Sequence, residues 1–152
     1  VLAEVLSALA DVAAVVDCPV VLPVHPRTAA RIAQLPAAPD LSRFVLTEPL
    51  GLFDFVHLEG GARLVVTDSG TVQEEAALLG VPCVLARDVT ERPELLDCGA
   101  VLLGGRTRTG IVDAVHTVLR DGPSGVVPPE YLQRDVAAGA AAAIVGPLPA
   151  GR

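Results

Sequence analysis

The chain has 152 residues, a net charge of −7 and a pI near 4.8; 51% of its residues are apolar and only 3% are aromatic. That length suits one domain, and an acidic chain with one Tyr and three Phe lacks the positive field and stacking platform of a nucleic-acid binder. Its longest small-residue apolar run, 136–145, falls short of the roughly 20 residues a membrane helix needs.

Taken in chain order, hydrophobic spacing and punctuation alternate between two patterns. Residues 1–16 carry Val1, Val5, Leu9, Val12 and Val16 at helical spacing. The chain opens inside that pattern without Met, which reads as a truncated start. Residues 19–24 form a strand ended by His25-Pro26, and 27–35 a helix stopped by Pro36. A strand at 43–46 leads to a helix at 52–59, closed by Gly60-Gly61. Then come a strand at 63–67, a helix at 70–79, a strand at 83–86, a short helix at 92–97, a strand at 100–103 and a helix at 110–119. A Pro/Gly link precedes a last helix over 130–145. About five β-α repeats with short connections predict an α/β, Rossmann-like doubly wound, mainly parallel sheet. The expected organisation is a single domain over 1–152: a βα core to about 128, a C-terminal helix over 129–146 and a tail over 147–152.

Cys18, Cys83 and Cys98 show no CxxC spacing and sit in or beside apolar runs, so neither a disulfide framework nor a zinc site is expected. With no visible signal peptide, this points to the cytoplasm.

In such sheets ligands gather beyond the carboxyl ends of the strands, and four segments there are unusual. In Thr67-Asp68-Ser69-Gly70-Thr71 a strand runs directly into a helix. The first-turn amides lack intrahelical partners, Ser69 adds a hydroxyl, and Gly70 allows a phosphate close to the backbone. Glu75, further along, suits a ribose diol. The alternative is simple capping by Asp68 or Ser69, with Glu74 and Glu75 as a solvated face. The segment is not G-x-G-x-x-G, which argues against NAD. In Arg87-Asp88-Val89-Thr90-Glu91-Arg92-Pro93-Glu94, the planar fork of Arg92 suits a diphosphate. Its alternative is an internal network with Asp88, Glu91 and Glu94. His25, at a strand end before Pro26, can move a proton near neutral pH or serve a structural role. Phe53 and Phe55 follow Thr47-Glu48-Pro49-Leu50-Gly51, where an aromatic ring can pack on uracil or simply on the sheet.

Together and in this order, HPRT, EPLG-x-x-DF, DSG-x-x-QEEA-x-x-x-G-x-P (68–82) and RD-x-TERPE (87–94) resemble the C-terminal half of the non-hydrolysing UDP-N-acetylglucosamine 2-epimerases. The resemblance runs from about residue 20 to 104. It implies one half of a GT-B-like two-domain fold. Ser69 and Gly70 would hold the diphosphate, Glu75 the ribose and Arg92 the phosphates. Phe55 would lie at the uracil, and His25 would face the UDP-sugar as the catalytic residue of this half. The implied reaction is C2 epimerisation by elimination and re-addition of UDP, with no cofactor and no metal. The family's proton-transferring carboxylates lie in an N-terminal domain, absent from these 152 residues, so the chain alone is expected to be inactive. A homodimer is implied as well. Thr71 stands where the family often has a second Gly, a spelling also found in relatives acting on other UDP-acetamido sugars. A stand-alone UDP or UDP-sugar binding module, or the donor domain of a GT-B glycosyltransferase, are the competing readings.

Overall fold

A computed structural model describes residues 1–37, 39–122 and 127–146. The elements are α1 (Leu2–Val16), β1 (Val20–Pro23), α2 (Pro26–Ala33), β2 (Phe44–Thr47), α3 (Leu52–Gly60), β3 (Val65–Thr67) and α4 (Gly70–Leu79). They continue with β4 (Cys83–Leu85), α5 (Pro93–Asp97), β5 (Val101–Leu103), α6 (Arg108–Asp121), a 3-10 turn (Pro129–Leu132) and α7 (Val136–Val145). The α/β alternation expected from the sequence is present, and every strand pair is parallel.

The two sides of β4 show how the domain is wound. Successive strand residues face opposite ways. Cys83 and Leu85 pack with Ala76 and Ala77 of α4 and Leu95 of α5, whereas Val84 and Ala86 pack with Ile111, Ala114, Val115 and Val118 of α6. Helices thus cover both faces, and β4 is buried throughout. Two glycines allow α6 to sit tightly on the sheet. A Cβ on Gly104 would lie 2.9 Å from Val84 Cγ1, and one on Gly110 would lie 2.4 Å from the Gly104 carbonyl oxygen.

The single continuous sheet expected from the sequence is instead two hydrogen-bonded ladders, β1-β2 and β3-β4-β5. Strands of three or four residues offer few ladder hydrogen bonds, so side-chain packing joins the two. Helix α1 does this, placing Leu6 among Val24 and Ile32 while Ala8 and Val12 join the α6 cluster. The last helix also differs from expectation. Pro128-Pro129 start a 3-10 turn, and Asp135 then adopts a left-handed backbone (φ 60°) that breaks the helix before α7. Asp tolerates this conformation better than most residues. Tyr131 of the turn donates a hydrogen bond to Glu94 of α5, but no residue of α7 is buried. The 147–152 tail lies outside the described residues. No helix among the described residues is long and apolar enough to cross a membrane, and the three cysteines are free.

Among the described residues one acid lies inside the fold. Glu59, near the end of α3, is 4% exposed, and neither carboxyl oxygen has a partner among them. Burial first, and then the nearby Glu75 carboxylate, push its pKa from 4.5 to about 7. Burial, with a further contribution from Glu59, also pushes the Cys83 thiol up to about 12.

Between pH 4.5 and 7 the folded chain therefore retains a proton that the unfolded chain releases. Stability falls as pH rises through that window and stays low above it. Glu59→Gln is expected to exceed the wild type at pH 8 by on the order of 2 kcal/mol in urea unfolding, with the gap shrinking at pH 5. An unchanged midpoint at pH 8 would contradict this burial. Gly110→Ala is expected to lose about 1–3 kcal/mol by overpacking, whereas Gly139→Ala, with open space around it inside α7, should cost nothing and raise stability by up to about 1 kcal/mol through helix propensity.

Candidate functional site

Strand β3 delivers the chain to Asp68 and Ser69 at the amino end of α4. The Ser69 N–H donates to Thr67 Oγ1 at 3.0 Å, fixing the turn, and Ser69 Oγ accepts from the Val72 N–H at a long 3.5 Å. The Gly70 and Thr71 N–H groups precede the first intrahelical donor, and no acidic residue occupies the first turn of α4 to offset its positive end. The nearest obstacle to a Cβ on Gly70 is Gln73 Nε2, at 3.8 Å.

Gln73 connects this helix end to the second segment. Its side chain is fully buried. Oε1 accepts the Thr90 hydroxyl at 3.0 Å, and Thr90 Oγ1 accepts the Arg92 N–H at 3.1 Å. Gln73 Nε2 has no partner among the described residues. Gly70, Gln73 and Glu74 share one face of α4 by their i, i+3, i+4 spacing. Glu74 completes the connection by accepting a hydrogen bond from Arg92 Nε. This bond and the Glu74 charge hold the guanidinium firmly in its charged form. Arg92 Nη1 donates to the Glu91 carbonyl at 3.3 Å.

The acids considered as partners for Arg92 are largely engaged elsewhere. Arg87 forks onto the Glu91 carboxylate with two 3.0 Å bonds and lowers its pKa. Asp88 accepts from Arg106 Nε at 2.6 Å, and Glu94 accepts from Tyr131, which lowers the Glu94 pKa. The ion pair of Arg92 therefore runs to α4 rather than to an acid of its own loop. Glu74 and Glu75 do not form a solvated pair either. Both are half-buried, Glu74 turned to Arg92 and Glu75 toward Glu59 on α3.

Phe55 is half-buried on α3, four residues before Glu59 and hence on the same face, toward α4; Phe53 is 88% exposed. The structure thus brings Ser69, Gly70 and Arg92 together at the α4 amino end, with Glu75 and Phe55 along the α3-α4 side. His25 stands apart. It is an exposed N-cap of α2 at the carboxyl end of β1, and its Nδ1 accepts the Arg27 N–H at 3.3 Å. Among the described residues no hydrogen bond or ion pair joins it to the α4 group. A hollow of about 240 Å³, lined by Asp11, Ser42 and Arg43 among others, lies near the start of β2, at the opposite end from these strand termini.

Sequence reasoning passed over Gln73, Thr90 and Glu59. A signal for two of them was present. Gln73 precedes Ala76 and Ala77 by helical spacing, on the buried face, and Glu59 falls in the stripe begun by Leu52, Phe55 and Val56.

The family model for UDP-N-acetylglucosamine 2-epimerase matches residues 1–144. The UDP-N-acetylglucosamine 2-epimerase of Methanocaldococcus jannaschii is 36% identical over 121 residues, which cover 78% of this chain and 33% of that protein. The UDP-2,3-diacetamido-2,3-dideoxy-D-glucuronate 2-epimerase of Pseudomonas aeruginosa is 44% identical over 101 residues, covering 66% and 28%. A crystal structure of the M. jannaschii enzyme in complex with UDP-GlcNAc and UDP superposes with a TM-score of 0.78 at 30% identity, over 93% of this chain and 39% of that one. The chain spans about a third of the length of the curated relatives it matches. The match over nearly all of the chain, in motif order and in fold, shows that it belongs to the UDP-N-acetylglucosamine 2-epimerase family.

Proposed function

We propose that the chain is the nucleotide-binding half of an enzyme that epimerises UDP-N-acetylglucosamine, or a related UDP-acetamido sugar, at C2. The observation that carries this reading is the junction of two sequence-distant positive groups. The open amide end of α4 and the Arg92 guanidinium are tied to one helix through Gln73 and Glu74. In this reading Ser69 and Gly70 bind the diphosphate and Arg92 neutralises it. Glu75 accepts hydrogen bonds from the ribose hydroxyls, Phe55 packs on uracil, and His25 faces the sugar. The M. jannaschii relative was crystallised with UDP-GlcNAc and UDP, which supports this ligand class.

The chemistry places a specific demand on such a site. Removal of the C2 proton and cleavage of the C1–oxygen bond form a C1=C2 double bond, and UDP leaves with the bonding pair. Protonation at C2 from the opposite face and return of UDP to C1 complete the cycle. An amide end and a guanidinium stabilise the departing diphosphate and retain it for re-addition. We assign the C2 proton transfers to carboxylates of an N-terminal domain that these 152 residues do not include. Assembly as a homodimer and a cytoplasmic setting belong to the same proposal; the three free thiols support the latter. The P. aeruginosa relative acts on a different acetamido sugar by its name, so the sugar is the least constrained part.

UDP at a hundredfold its dissociation constant is expected to stabilise the chain by about 2.7 kcal/mol. Arg92→Ala and Glu75→Ala are each expected to weaken binding by about tenfold or more. A thermal titration flat to millimolar UDP would contradict the proposal. The 152-residue chain alone is expected to leave the C2 proton of UDP-GlcNAc in place, as followed by proton NMR in deuterated water; exchange would show that the chain carries its own proton-transferring acid.

A further inference from the structure

Arg92 is restrained at several points. Pro93 limits its backbone. Its N–H is held by Thr90 Oγ1, its Nε by Glu74 and its Nη1 by the Glu91 carbonyl. Only Nη2 has no acceptor among the described residues, and the side chain is 40% exposed. Two of the three guanidinium nitrogens are therefore fixed to the protein while Nη2 remains available.

The contact that fixes the Arg92 backbone is costly to maintain. Gln73 is fully buried, and only the oxygen of its amide is used. An orphaned buried donor costs about 1–3 kcal/mol, and an apolar side chain of similar shape would avoid that cost. Packing alone therefore does not account for an amide here. Its oxygen reaches Thr90, seventeen residues away in sequence, and its nitrogen lies beside Gly70.

We propose that Gln73 and Thr90 are positioning residues, a two-residue brace that sets the distance between the α4 amino end and Arg92 so that both engage the same diphosphate. This rests on the UDP-binding reading above. Neither residue touches the nucleotide; both act through Arg92. Thr90 serves in both directions, its hydroxyl donating to Gln73 and accepting from the Arg92 N–H. Valine at this position keeps the shape and removes both bonds, whereas serine keeps both. Because the brace acts on the phosphate-binding groups, its removal should affect a nucleoside diphosphate and spare a bare nucleoside.

The test is calorimetric titration of the 152-residue chain with UDP and with uridine, with melting temperatures measured in parallel. Thr90→Val is expected to weaken UDP binding by about tenfold and leave uridine unchanged, and Thr90→Ser to stay within about twofold of wild type. In an Arg92→Ala background Thr90→Val should add no more than about a twofold loss, because the two act as one unit. If the valine variant does not fold, Thr90→Ala, which also lacks the hydroxyl, carries the same comparison. Wild-type affinity in the hydroxyl-less variant, equal losses for UDP and uridine, or a full loss repeated without Arg92 would each overturn the brace. A wild-type chain that binds uridine but not UDP, or neither, would instead defeat the functional reading on which the brace depends.

Discussion

The amino end of α4 is the point on which the rest of the site depends. A helix terminus gathers several unpaired amides and a partial positive charge within one turn, but only the surrounding chain decides whether they point anywhere useful. Here β3 supplies the approach, Thr67 and Ser69 set the turn, and Gln73 and Glu74 extend to the 87–92 loop. The buried strand β4 provides the rigid base, because α4 packs on one side of it and α6 on the other. A loop arginine would ordinarily sample many rotamers. Joined to α4 at its backbone and at Nε, Arg92 has given up most of that freedom before any ligand arrives, which is how preorganisation lowers the cost of binding.

Charge is distributed across α4 with a clear division. On one side Glu74 meets Arg92, a half-exposed pair that orders the guanidinium more than it stabilises the fold. On the other, Glu75 approaches Glu59, a buried acid without a partner among the described residues. Two consecutive glutamates thus have opposite surroundings, because adjacent helical residues point about 100° apart. The Glu59 side destabilises the fold at neutral pH, in keeping with the observation that functional regions depart from the arrangement that would maximise stability.

Much of the architecture was legible in the sequence because most strands are short aliphatic runs and most helices have a Pro, Gly or hydroxyl boundary. The α4 start is an example: Ser69 caps it and Gly80 ends it in a left-handed conformation, as the spelling suggests. The split into two ladders was not legible, since pairing between short strands depends on the packing of α1 across them. Nor was the break at Asp135, where a single left-handed residue interrupts an otherwise continuous helical pattern. At the site, Ser69, Gly70 and Arg92 could be singled out by type and position, but the partner of Arg92 could not. Four acids lay within reach in sequence or in space, and only the fold selects Glu74. Thr90 carries no signal in the sequence, and the spacing of Gln73 shows only that it falls on the buried face of α4; their significance comes from one hydrogen bond across seventeen residues.

The most direct measurement of the central claim is the position of a bound nucleotide. A crystal structure of this chain grown with UDP should place phosphate oxygens within hydrogen-bonding distance of the Gly70 and Thr71 amides and of Arg92 Nη2. Nucleotide found elsewhere, for instance in the hollow between Asp11 and Arg43, with the α4 amides left to solvent, would contradict it.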